Sequence, residues 1–185
     1  MPRVSEKRER LVEAGKRLIH HRGFQQTTLA EIARESGVPL GNVYYYFRTK
    51  EEILEAVAER LADDFRLRVA RFEREPDPRL RLLAFLDSVI DAKSVVSEFG
   101  CPVGSLCQEV NKHDLLPRDT VNQALILRAE WAAEQFRLMG RSDAQELGVW
   151  LIASVQGVIL MANALKDAGV IARQVLQLKT WIGGL

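Results

Sequence analysis

Cysteine is scarce in this sequence: 185 residues hold only Cys101 and Cys107, and no long apolar run follows the basic start as a secretion signal would require. Reduced thiols and a cytoplasmic location are the expectation. Six residues apart on one helix, the two cysteines would lie on nearly opposite sides, which argues against a simple disulfide. Adding His113 gives no recognised ligand spacing. No metal and no cofactor are therefore expected. A Gly-rich phosphate loop is missing, as is any Ser or Cys paired with His in a recognised catalytic context, so an enzyme is not expected. Internal repeats and low-complexity tracts are missing too. Overall charge is nearly balanced at +1 and by itself says nothing of nucleic acid. The one long uncharged stretch, residues 147–165, has the length of a membrane span. Gly148, Ser154, Gln156, Gly157 and Asn163 make it too polar for that, and it reads instead as a helix buried on all sides in a bundle, with no membrane as partner.

What the chain does have is uneven charge and helical periodicity. Residues 1–50 carry ten Lys and Arg against five Glu, a net of +5, which leaves about −4 for the rest. A basic head on an acidic body is what phosphate binding by one end requires. Helix signals follow one another along the chain. Residues 5–21 form a first helix on Leu11, Ala14, Gly15, Leu18 and Ile19, closed by Gly23, with Phe24 plugging back into a small core. His20 and His21 suit the negative end of that helix better than a ligand role. A fourth helix covers residues 50–73. Asp77 and Pro78 start another that continues towards Val96, and residues 99–104 read as an irregular link before a short helix at 105–111. Pro117 opens a long helix to about Met139, Ser142 caps the next with Gln145 three residues on, and Asp167 begins the last, which ends near Trp181. The fold class is all-α, with about nine helices.

Residues 27–50, TTLAEIARESGVPLGNVYYYFRTK, form the stretch around which the rest is organised. Thr28 and Glu31 make a reciprocal capping box, Leu29, Ile32 and Ala33 an apolar stripe, and Gly37 a left-handed stop. Pro39 biases Val38 away from the helical region yet suits the first turn of a new helix, so Leu40 to Tyr46 form a second helix of about two turns. Two short helices across a three-residue turn make a helix-turn-helix. Ala33 is small where the helices cross and Val43 plugs beneath the second. On the second helix Gly41 permits close approach of another molecule, and Asn42 has the paired donor and acceptor that match an adenine edge. Tyr44, Tyr45 and Tyr46 are too many large side chains for so short a helix to bury. One is expected in the core and the others outward, bonding phosphate or meeting a thymine methyl. Thr49 caps the next helix with Glu52, and Lys50 in its first turn opposes the dipole, so an external phosphate is its expected partner.

At these residues the sequence resembles the TetR (tetracycline-repressor-like) family of bacterial transcription regulators. The resemblance lies in Gly23-Phe24, Thr27-Thr28, Ile32-Ala33, Gly37-Val38, Tyr44-Tyr45-Tyr46-Phe47 and Lys50, over residues 8 to 60 or so. Pro39 and Leu40 depart from it, standing where the family often has a capping serine and a polar or basic residue. The candidate DNA-binding set is Thr27, Thr28, Gly41, Asn42, Tyr44, Tyr45, Tyr46 and Lys50.

The expected domains are a three-helix DNA-binding head over residues 1–50 and a helical body over 51–185 for ligand binding and dimerisation. The fourth helix would join them as a rigid connector. Two heads on a two-fold axis would read a near-palindromic operator in double-stranded DNA. The last two helices are the candidate homodimer interface, with Gly148, Ala153, Ser154, Gly157 and Ala164 permitting close packing, and the resemblance implies the same interface and a ligand pocket in the body. Phe65, Phe85, Phe99, Trp131, Phe136 and Trp150 could line an apolar cavity for a small, largely apolar effector, with Gln156 as an orienting polar group and Cys107 beside it. The expected function is a ligand-responsive regulator, a repressor released from its operator by a small molecule. Alternatives are a redox or electrophile sensor using Cys101 or Cys107, although no Lys or Arg is close to them in sequence, or a helical protein–protein adaptor.

Overall fold

A computed structural model describes residues 6–115 and 117–185 and places ten helices on them: α1 Glu6–Arg22, α2 Leu29–Ser36, α3 Leu40–Tyr46, α4 Lys50–Phe72, α5 Pro78–Asp91, α6 Lys93–Phe99, α7 Pro102–Lys112, α8 Arg118–Leu138, α9 Ala144–Leu165 and α10 Ala168–Gly183. No strand occurs among the described residues. The all-α expectation holds. Ser5, expected to start α1, lies outside the described residues. The helix expected to run unbroken from Pro78 towards Val96 ends instead at Asp91 and restarts at Lys93, which makes the tenth helix. The link expected over residues 99–104 shrinks to Gly100 and Cys101, because Gly100 stops α6 at φ 80° and Pro102 opens α7 directly. The expected cap at Ser142 also moves: Asp143 holds the N-cap position of α9, with no side-chain bond to the helix.

The chain packs as two compact units. One takes in the described residues up to Ala62 together with Pro102–Ala124, and so contains α1 to α3, the start of α4, α7 and the start of α8. Leu11, Phe24, Ile32, Val43, Ile53, Leu54 and Val110 are buried in it. Gly15 lets α1 come close here: a Cβ on it would stand 3.0 Å from Ile53, 3.4 Å from Val57 and 3.7 Å from Ile32. This packing unit extends past residue 50 because α7 lies against α1.

The other unit comprises Asp63–Cys101 and Leu125–Leu185. Its core joins Phe65, Phe72, Phe85, Trp131 and Phe136 to Leu82, Leu86, Leu151, Val155, Ile171 and Val175. Here Gly148 proves to be an internal packing residue, since a Cβ on it would meet the Ala129 carbonyl at 2.6 Å and the Ala133 Cβ at 2.7 Å. α9 is long and apolar enough to cross a membrane by length and composition alone, yet it is not buried on all sides as its sequence suggested. Leu151, Ile152, Val155, Ile159 and Ala162 face the core, while Val149, Trp150, Leu160, Met161 and Leu165 are exposed.

Candidate nucleic-acid interface

The helix-turn-helix is built by local rules. Thr28 Oγ1 accepts from the Glu31 N–H at 3.2 Å, and the Glu31 carboxylate accepts from the Thr28 N–H at 3.0 Å, closing the expected capping box. Thr28 draws the Glu31 carboxyl below its ordinary pKa, first through the hydroxyl and then through the backbone N–H. Gly37 ends α2 at φ 65°, and a side chain there would also run into the Arg10 guanidinium, which donates to the Ser36 carbonyl. Pro39 precedes α3 without a side-chain cap, and Phe47, extended and buried, ends it by donating its N–H to the Val43 carbonyl at 2.8 Å.

Val43 is the inward anchor of α3, fully buried. Spacings of three and four residues therefore put Gly41, Tyr44 and Tyr45 together on the outward side, with Asn42 beside them. Gly41 and Asn42 are exposed, Tyr44 is 53% and Tyr45 84% exposed. A Cβ on Gly41 would meet nothing within 4 Å, so nothing inside this chain requires a glycine there. The tyrosine expected in the core is not found. Tyr46 is only half-buried and meets Tyr45 edge to face, with ring centroids 5.0 Å apart, because Val43 and Phe47 already fill the space under so short a helix.

Three further candidates fall differently. Thr27 is buried and its hydroxyl donates to the Gly23 carbonyl at 2.8 Å, so its side chain braces the turn after α1. Thr28 is exposed at the start of α2. Lys50 turns inward: Nζ donates to the Phe24 carbonyl at 2.6 Å and the Gln25 carbonyl at 3.2 Å and stands 4.2 Å from the centre of the Phe24 ring. Burial pulls its pKa below the usual lysine value, against the pull of Glu51, Glu109 and Glu31. This internal tie engages two of the three N–H donors of Lys50, where the sequence suggested only an external phosphate. The second capping box closes only in part, since the Thr49 hydroxyl accepts from the Glu52 N–H, but the Glu52 carboxylate accepts from the Arg48 N–H.

Sequence reasoning missed two residues here. Arg48 is exposed directly after α3, and its guanidinium has no ion-pair partner among the described residues, whereas Arg17 and Arg22 are paired with Glu35 and Glu31. Its position just beyond the recognition helix was the available signal. Glu109 of α7 accepts from the N–H groups of Phe24 at 2.8 Å and Gln25 at 2.7 Å, the two residues whose carbonyls Lys50 holds. A separation of some 85 residues in sequence hid that contact.

The effector candidates separate into groups. Phe65, Phe85 and Trp131 come together with Phe72, which the sequence had not singled out: the Trp131 ring centroid lies 5.9, 5.7 and 5.6 Å from those of Phe65, Phe85 and Phe72. Trp150 is elsewhere, its ring 4.4 Å from that of Trp181 and tilted 52° to it, and 45% exposed, because α9 turns it outward. Phe136 packs on Trp181 at 5.9 Å. Gln156 donates to the Cys101 sulfur at 3.4 Å. Cys107 belongs to the other unit, buried, with its thiol donating to the Val121 carbonyl at 3.6 Å.

Comparison with known proteins agrees with this geometry. Residues 11–57 match the family described as "Bacterial regulatory proteins, tetR family". The HTH-type transcriptional regulator LmrA of Bacillus subtilis is 32% identical over 170 residues, covering 87% of this chain and 88% of that protein. The HTH-type transcriptional regulator TtgR of Pseudomonas putida is 28% identical over 176 residues, covering 89% and 84%. Among solved structures, a TetR transcriptional regulator from Chloroflexus aurantiacus superposes with a TM-score of 0.84 at 23% identity over 96% of this chain and 94% of that one. Escherichia coli NemR in its reduced form superposes at 0.81 with 22% identity over 95% and 97%. The capping box, the left-handed Gly37, the outward α3 face and the near full-length likeness to LmrA lead to one conclusion: this chain belongs to the TetR family of bacterial regulatory proteins and is a DNA-binding, helix-turn-helix transcriptional regulator.

Proposed function

We propose that the chain is a cytoplasmic repressor that grips a near-palindromic operator as a homodimer and lets go when a small, largely apolar molecule binds its body. Residues 1–50 read DNA, and residues 51–185 bind the ligand and the twin subunit. The observation that carries this is the outward face of α3, where Gly41, Asn42, Tyr44 and Tyr45 stand exposed above a fully buried Val43. Asn42 offers a bidentate match to an adenine edge, Gly41 allows the backbone to approach, and the tyrosine hydroxyls with Thr28 and Arg48 reach phosphates. The dimer forms through α9 and α10. Ala153, Gly157, Leu160, Met161, Ala164 and Leu165 are exposed at intervals of three and four residues on α9, and Leu176 is exposed on α10.

Release follows from differential affinity. α4 is one continuous helix that begins at Lys50, tied to the turn after α1, and carries Phe65 and Phe72 on its later turns. A ligand favouring one position of α4 over another changes the separation of the two heads, and one indifferent to that position changes nothing. Selecting bound fragments from random duplex DNA tests the proposal: a palindrome with half-sites about 34 Å apart, or a multiple of it, should emerge. Replacing Asn42 by Ala should then cost about 1–3 kcal/mol on the selected duplex and relax one base position. A helical adaptor would yield no sequence and ignore the substitution.

A further inference from the structure

Among the described residues, one buried side-chain nitrogen or oxygen has no hydrogen-bond partner: the indole Nε1 of Trp131, a residue 8% exposed. An N–H removed from water without an acceptor costs the full desolvation of the donor, so such an atom in a well-packed core calls for a reason. The amide of Gln135 is engaged elsewhere: Nε2 donates to the Trp131 carbonyl at 3.2 Å and Oε1 accepts from Arg81 at 3.3 Å.

The surroundings define what could. Phe65, Phe72 and Phe85 surround the indole at centroid distances below 6 Å, a set of rings that by itself would suit a quaternary ammonium through cation–π attraction. Two features oppose a cation. The buried Arg128 guanidinium lies 4.6 Å from the centre of the Phe65 ring, and Arg68 lies 5.9 Å from it, with Asp64 the acid that acts on Arg68. The group left without a partner is a donor, which a cation cannot satisfy. We propose, building on the ligand-released repressor above, that Trp131 is the orienting residue of the effector site and that the effector is an aromatic carboxylate. Its ring parts those of Phe65, Phe72 and Phe85, and its carboxylate accepts from Trp131 Nε1 within the field of Arg128.

Benzoate, 2-naphthoate and 4-phenylbutyrate, titrated into the full chain by calorimetry beside benzyltrimethylammonium, test this. At least one carboxylate should bind in the millimolar range or tighter and the ammonium should not. Trp131→Phe, which keeps a ring and loses the donor, should weaken that binding by about tenfold. In a proton–nitrogen correlation spectrum the Trp131 indole resonance should move downfield on addition of the carboxylate, while those of Trp150 and Trp181 serve as internal references. Arg128→Met should reduce the preference for carboxylate over ammonium, and if that variant does not fold, the indole resonance still decides. Preferential binding of the ammonium, no binding by any of the three acids, or an unmoved Trp131 resonance would overturn the proposal. Operator binding is measured separately: a chain that binds duplex but no carboxylate loses this inference alone, and one that binds carboxylate but no duplex loses the repressor instead.

Discussion

Helices α3 and α9 both expose large side chains to water, and they differ in what those side chains can do there. α3 shows Tyr44 and Tyr45, each ending in a hydroxyl, beside Asn42 and just ahead of Arg48. α9 shows Val149, Leu160, Met161 and Leu165, with no ionisable group between Leu147 and Leu165. A face with polar tips can meet a hydrated polyanion, whereas an aliphatic face gains only by meeting another apolar surface. The difference teaches that exposure of apolar bulk is not one signal: its polar edges say which class of partner completes it.

The strongest way to break the comparison is to make α9 polar. Leu160 and Met161 are 60% and 53% exposed, so replacing both by Glu should leave the single chain folded. The double variant should sediment as a monomer. Operator affinity should fall by roughly 10²–10⁴-fold, because each half-site is then bound without the effective concentration that a paired head supplies. A variant that still sediments as a dimer would place the interface elsewhere.

These two faces were not equally legible. The α2–α3 unit is written in local rules, and Thr28, Glu31, Gly37 and Val43 sit where sequence puts them because a cap, a left-handed stop and a short apolar period act over three or four residues. Thr27 and Lys50 fell inward because their partners are backbone carbonyls, at Gly23 and at Phe24 and Gln25, which side-chain patterning does not mark. The aromatic cluster was half legible: Phe65, Phe85 and Trp131 were named for their bulk, but only packing separates them from Trp150. The same bulk on α9 points out, and an apolar run alone does not say which side is covered.

A second test concerns the polar tips. Tyr44→Phe removes one hydroxyl and leaves the ring, so it should cost about 0.5–1.5 kcal/mol of operator affinity without changing thermal stability. If that hydroxyl binds phosphate, the loss should be uniform across operator sequences. A loss confined to one base position would move Tyr44 from positioning the head to reading a base.

Glycine gives a third, smaller test, since both faces carry one that the chain itself does not need. A Cβ on Gly41 or on Gly157 would meet nothing within 4 Å, unlike one on Gly148. Alanine at either exposed helical position should therefore raise the stability of the single chain by up to about 1 kcal/mol. Each should also weaken a different partner: Gly41→Ala the operator, read by fluorescence anisotropy, and Gly157→Ala the dimer, read by dilution. Crossed effects would mean that the two faces do not have separate occupants.

The smallest effect separates the faces by pH. Glu31 is held below the ordinary carboxyl value of 4.5 by the Thr28 hydroxyl, then by the Thr28 N–H, with Arg22 and Arg34 adding their charges against some desolvation. A pKa depressed by folding contributes stability that is complete above the unfolded value and is lost as pH falls through the folded one. Thermal unfolding of the native chain should therefore be insensitive to this group at neutral pH and weaken below about pH 4.5. Glu31→Gln removes the titration, so its melting temperature should sit lower at neutral pH and fall less on acidification. No residue of the exposed α9 stripe titrates, and subunit association should respond to the same substitution not at all. Equal acid slopes in the two proteins would mean that the capping carboxylate holds α2 by its shape rather than by its charge.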